Sequence, residues 1–167
     1  MALVFDVGET LIDETRIWSR WADRLGVSRF SFMGVLGGMA ALDRSHMHAF
    51  EILCPGIDVW AEVDSWRAEE PDGLRENFDA DDLYPDVRAA LAGLRQAGYQ
   101  VVIAGNQPVQ AYDALVAMDL PAARAGMRTA LIRRGPWGYL HAERPEAAAC
   151  DLVIDGLHDL LPALPRL

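Results

Sequence analysis

The chain opens on an unbroken apolar run, Ala2-Leu3-Val4-Phe5, which stops at Asp6 and turns through Val7-Gly8-Glu9-Thr10-Leu11. A short apolar run closed by a glycine turn predicts a buried strand, and a carboxylate delivered at its C-terminal end points to a ligand crevice. After Asp13 the period changes. Ile17, Trp18, Trp21 and Leu25 recur near helical spacing, Asp13 or Thr15 can cap the start, and Gly26 can end it. Further helices are predicted from Ser31 towards Leu42, from Ser45 to Leu53 before Pro55, and around Asp58 to Glu69. The last carries Val59, Trp60, Val63 and Trp66, and tryptophans at these spacings read as packing groups. The stretch that follows is acidic, with Glu69, Glu70, Asp72, Glu76, Asp79, Asp81 and Asp82, and reads as a solvated linker and helix face.

Alternation of helix and strand then resumes. Pro85, after Leu83-Tyr84, suits a helix entrance; Val87, Leu91 and Leu94 form its apolar stripe, and Gly98 is the expected C-terminal glycine. Tyr99 to Ala104 reads as a buried strand leading into a second loop, Gly105-Asn106-Gln107. A helix from Val109 to Met118, a strand from Thr129 to Arg133, another strand at Asp151 to Gly156 and a last helical turn near Leu157 to Leu164 complete the pattern. The fold class expected is α/β: a reduced, Rossmann-like parallel sheet over residues 1–14 and 83–167, with an α-helical insert over residues 15–82.

Composition narrows the function classes. A chain of 167 residues, 51% of them hydrophobic, can bury a core of its own without a metal or disulfide staple. The net charge of −10 argues against nucleic-acid or anionic-membrane binding, because both need a basic footprint. A small anionic substrate needs only a local arginine or metal site. The 15 basic residues are all arginine, so a role that requires lysine has no candidate. Cys54 and Cys150 stand far apart without a CxxC pattern, as expected of reduced thiols in a cytoplasmic protein. The first strand begins directly at the N-terminus, so no signal peptide is expected. The weakly polar stretch from Phe30 to Leu42 is too short to span a bilayer.

Few chemistries are available. His46 and His48 alternate on a predicted helix, so they do not face one way and make a poor metal pair. His141 and His158 have no cysteine or serine partner at a recognisable spacing, and no glycine-rich phosphate loop is present. The carboxylate at Asp6 is the group best placed for chemistry.

The string FDVGETL around Asp6 resembles the first motif of the haloacid dehalogenase-like hydrolase superfamily, DxDGT followed by an aliphatic residue. The stretch from Tyr84 to Gln107 is similar to that family's second block, in which a helix and a strand lead into a Ser or Thr usually followed by Asn. The resemblance implies a hydrolase of small phosphorylated or otherwise activated metabolites, with a helical cap inserted after the first strand. It further implies that Asp6 is the nucleophile, that Asp6 and the backbone of Gly8 hold Mg²⁺, and that Gly105, Asn106 and Thr10 lie at the substrate site.

This chain departs from the family pattern in four places. Gly8 replaces the usual general acid and base, a loss typically worth about 10² to 10⁴ in rate. Glu9 is the nearest spare carboxylate, offset by one position. Gly105 replaces the phosphate-binding hydroxyl, and neither the family's lysine motif nor its acidic GDxxxD loop is found. Arg124, Arg128, Arg133 and Arg134 are candidates for the missing positive charge, and Asp151 and Asp155 flank a late strand, where strand-edge turns are the preferred reading. The alternative implied by these losses is a non-catalytic remnant that binds a ligand or a partner. Relatives place the acidic-loop strand beside the first strand. Its absence predicts that Thr129 to Arg133 moves into that place and pairs in parallel with Leu3 to Asp6.

Overall fold

The computed structural model describes residues 2–103 and 129–166, so Gly105, Asn106, Arg124, Arg128 and the helix expected at Val109 to Met118 lie outside the described residues. The protein is mixed α/β, and its described residues form two small parallel two-stranded sheets. Its chain divides into two compact units, Met1–Asp13 with Asp79–Leu167, and Glu14–Phe78.

The unit formed by Glu14–Phe78 is helical: α1 Thr15–Arg24, α2 Arg29–Ala41, α3 Met47–Leu53 and α4 Val59–Glu69. Neither Asp13 nor Thr15 caps α1. Glu14 holds the N-cap position without a side-chain cap, and its carboxylate accepts from the Trp18 indole at 3.1 Å. Gly26 ends the helix at φ +65°, where a residue with a Cβ is strained. Ser28 caps α2 by accepting from the Ser31 N–H, and Asp58 caps α4 by accepting from the N–H groups of Trp60 and Ala61. The core is aromatic: Trp21 meets Phe50 and Trp66 edge-on at 4.9 and 5.2 Å, and Phe32 meets Phe50 at 5.5 Å. Trp60 departs from the packing expectation, with 70% of its surface exposed.

The acidic stretch is more structured than a solvated linker. Arg24 makes a two-pronged pair with Glu69, and Arg20 binds Glu70 at 2.6 Å. Asp79 and Asp82 form a reciprocal capping box around the short turn Ala80–Asp82, and Asp82 is buried.

In the α/β unit, β1 Ala2–Phe5 pairs in parallel with β2 Gln100–Ile103, Leu3 opposite Val101 and Phe5 opposite Ile103. Helix α5, Val87–Gln96, presents Val87, Leu91 and Leu94 inward and packs on β2. Gly98 at φ +85° closes it, with the Tyr99 N–H bonded back to Leu94. Strand β3, Ala130–Ile132, pairs in parallel with β4, Leu152–Ile154, and α6 Gly135–Ala142 and the short α7 Leu160–Ala163 follow them. The expected pairing of the Thr129 to Arg133 segment with β1 is therefore corrected. The two chain segments that prefer each other are β3 and β4, whose ends are fastened by Asp151 on the Thr129 N–H at 2.8 Å and by Arg133 on Asp155. No helix among the described residues is long and apolar enough to cross a membrane.

Candidate functional site

The end of β1 is built as a closed turn. Once Phe5 and Val7 are buried, the chain folds back so that the Val7 carbonyl accepts from the N–H groups of Leu11 at 2.9 Å and Ile12 at 3.1 Å. The Glu9 N–H donates to the Ile12 carbonyl at 2.8 Å, which puts Glu9 at φ +53°. A non-glycine residue in that region persists only where its surroundings hold it. Leu11 and Ile12, with no exposed surface, anchor the turn in the core. The next strand-like step is fixed as well: Ile12 bridges Leu83, with the Asp13 N–H on Asp82 and the Tyr84 N–H on Leu11.

Asp6 stands at the start of this turn. Its surface is exposed, yet the protein around it displaces enough water to raise its carboxyl above the ordinary aspartate value, while the Val7 N–H pulls it partway back. Gly8 pairs with Ile12 in a parallel bridge whose two hydrogen bonds run through the Val7 carbonyl and the Glu9 N–H. The Gly8 carbonyl thus stands outside that bridge. The Asp6 carboxylate and the Gly8 carbonyl are each hard oxygen donors, the kind that magnesium prefers. Among the described residues no group of three His, Cys, Asp or Glu side chains converges to hold a metal ion.

Beside the turn lies a polar network that sequence reasoning did not find. Arg134, at the end of β3, donates from Nη1 to the Thr10 carbonyl at 3.0 Å and from Nη2 to Asp86 Oδ2. Its guanidinium stacks on the Tyr84 ring, 4.3 Å from the centroid. The Tyr84 hydroxyl donates to Glu9 Oε2 at 2.6 Å, so the Glu9 carboxylate is engaged within the network. Burial, followed by that bond and the negative charge of Glu9, pushes the Tyr84 hydroxyl far above the usual tyrosine value and keeps it a donor. Asp86 Oδ2 also accepts from the Leu157 N–H at 2.8 Å and lies 3.2 Å from His158 Nδ1, in the loop after β4. Burial alone would raise the Asp86 carboxyl. The hydrogen bonds from His158 and Arg134, the arginine charge and the Leu157 N–H outweigh it and hold the carboxyl below the usual range.

The network draws together the loops that follow β1, β3 and β4. The backbone is close where they touch: Gly135 sits at φ +57°, and a Cβ there would collide with the Glu9 side chain. A Cβ at Gly156 would collide with His158 and Asp86. Pro85-Asp86 had read only as a helix entrance, and Asp86 does occupy the N-cap position of α5, but its side chain caps nothing there because it is turned to Arg134.

The remaining site candidates separate clearly. Arg133 makes a two-pronged pair with Asp155 at 2.6 and 2.9 Å, and Asp151 fastens Thr129, so these groups hold β3 to β4. Thr10 contributes its backbone carbonyl to Arg134. His46 packs on Trp18 at 5.5 Å, and burial lowers its pKa. Scans against protein-family models and against curated proteins both return no match to this chain.

Proposed function

We propose that the chain is a reduced haloacid dehalogenase-like hydrolase with a Rossmann-like core, acting slowly on small activated phosphate compounds through Asp6. One observation carries the reading: an accessible carboxylate stands at the C-terminal end of a parallel strand, on a turn held rigid by Leu11, Ile12 and the Arg134 network. Rigid presentation of a reacting group is what positioning contributes to catalysis. The family resemblance of FDVGETL supplies the reaction class.

In the proposed reaction an Asp6 carboxylate oxygen attacks phosphorus, and the bond from phosphorus to the leaving oxygen breaks. Water then attacks the aspartyl phosphate, releasing inorganic phosphate and restoring the carboxylate. Asp6 and the Gly8 carbonyl would hold Mg²⁺, which when bound neutralises phosphoryl charge. With Gly8 in place of an acid, the leaving group receives its proton from solvent, so substrates with good leaving groups, acyl and aryl phosphates, are favoured over alkyl phosphates.

A second reading has its own support. Arg133 and Arg134 are each paired with a carboxylate, Asp155 and Asp86, which leaves their charge poorly disposed to stabilise a phosphoryl group in flight. On that reading the chain binds a ligand or partner without turnover. Hydrolysis of an aryl phosphate with Mg²⁺ separates the two. Slow turnover, below the usual range of about 1 to 10³ s⁻¹ and abolished by Asp6→Asn, supports the hydrolase. Turnover indifferent to Asp6→Asn, or none, removes it.

A further inference from the structure

The helical unit carries a second feature that the hydrolase reading does not use. Met47, Phe50 and Glu51 of α3, with Ile57 and Asp58 of the loop that follows and Trp60 of α4, line an open groove of about 350 Å³, the lower end of the range for small-molecule sites. Trp60 is the anomaly. Trp18, Trp21 and Trp66 all join the aromatic core, whereas the Trp60 indole has no ring contact among the described residues and is 70% exposed. Leaving so large an apolar ring in water forfeits much of its burial free energy, and exposed tryptophans of this kind are favoured anchors for a ligand.

The charge around the groove indicates what would sit there. Its two ionisable lining residues are Glu51 and Asp58, and no lining residue is basic. Asp58 uses Oδ1 to cap α4, and Glu51 has no ion pair among the described residues. An aromatic face, an unpaired carboxylate and an apolar floor of Met47, Phe50 and Ile57 form together the recognition set for a cation on an apolar stem. A second copy of this chain is a poor occupant, because its net charge of −10 opposes approach to an acidic groove.

We infer that this groove binds a small amphipathic amine, its ammonium group against Trp60 and Glu51 and its apolar stem against Met47, Phe50 and Ile57. The test is a titration of the full chain with 4-phenylbutylammonium, followed at the Trp60 indole N–H by NMR, with 4-phenylbutanol and 4-phenylbutyrate as neutral and anionic controls. The ammonium should give a saturable shift with a Kd of about 1 mM, and each control should bind at least about fivefold more weakly. Trp60→Ala, followed at other groove resonances, should lose the binding. Glu51→Gln should weaken it about threefold to tenfold, while the spectrum outside the groove stays unchanged. Absence of a saturable shift, or equal binding of the alcohol, overturns the inference.

Discussion

In the helical unit five aromatic rings from four helices, Trp18, Trp21, Phe32, Phe50 and Trp66, meet one another directly. In the α/β unit the described residues form two parallel sheets of two strands each over an aliphatic core that includes Leu11, Ile12, Leu94 and Ile103, and the ends of β1, β3 and β4 are joined by Arg134 and Asp86. Four helices can enclose a core with side chains alone. A narrow parallel sheet leaves loop carbonyls and amides at its strand ends, and these require polar partners. The difference teaches where a polar substitution will tell: both units bury an apolar core, and the part-buried charged network that joins strand ends belongs to the α/β unit.

The largest effect is expected in the aromatic core. Phe32, with no exposed surface, should cost about 3–5 kcal/mol as Phe32→Ala, independent of pH between about 5 and 8, measured by denaturant unfolding. A loss under about 1 kcal/mol would show that the rings do not hold the unit.

Breaking the Arg134 pair comes next. The side chains of Arg134 and Asp86 are 10% and 19% exposed, so Asp86→Ala should cost about 2–3 kcal/mol, somewhat less than a fully buried pair. This loss should depend on pH. Because the Asp86 carboxyl is held below its ordinary value of 3.8, its stabilisation is present above that value and disappears as pH falls through the depressed one. The unfolding curves of wild type and Asp86→Asn should therefore converge in acid. Curves that stay parallel throughout the acid range below 3.8 would refute the role given to Asp86.

Gly135→Ala should cost about 1–3 kcal/mol, from a positive φ and a collision with Glu9, and should disturb the Glu9–Tyr84 hydrogen bond. A neutral substitution would mean that the loop after β3 yields easily.

The smallest effect has the opposite sign. The Asp6 carboxyl is raised, so ionising it opposes folding; that cost is absent well below 3.8 and grows as pH rises through the raised value. Asp6→Asn should raise the melting temperature slightly at about pH 7 and leave it unchanged at about pH 3, the trade of stability for function expected of a reactive group. A lower melting temperature at neutral pH would assign Asp6 a structural role.

Periodicity in the sequence located β1, the four helices of the inserted unit, α5 and β2, because each is a local apolar pattern closed by its own glycine or cap, such as Gly26, Asp58 and Gly98. Pairing was not legible to the same degree. Thr129 to Arg133 is as apolar as a strand beside β1 would be, and its preference for β4 rests on Asp151 and Arg133, whose partners lie 22 residues away. Asp6 could be read from the sequence because it interrupts an apolar run. The network of Arg134, Asp86, Tyr84, Glu9 and the Thr10 carbonyl could not, since the hydrogen bonds that join Arg134 to Asp86, Tyr84 to Glu9 and Arg134 to Thr10 span 48, 75 and 124 positions and each residue alone resembles a surface group.

The central proposal is that Asp6 is a nucleophile whose second step is slowed by the loss of a base at Gly8. The direct measurement is intact-mass and peptide analysis after exposure of the chain to acetyl phosphate and Mg²⁺, a donor whose leaving group needs no acid. A phosphoryl adduct on the peptide bearing Asp6, accumulating because its hydrolysis is slow and absent from Asp6→Asn, is the expected result. No adduct on Asp6, or one that forms equally in Asp6→Asn, would contradict it.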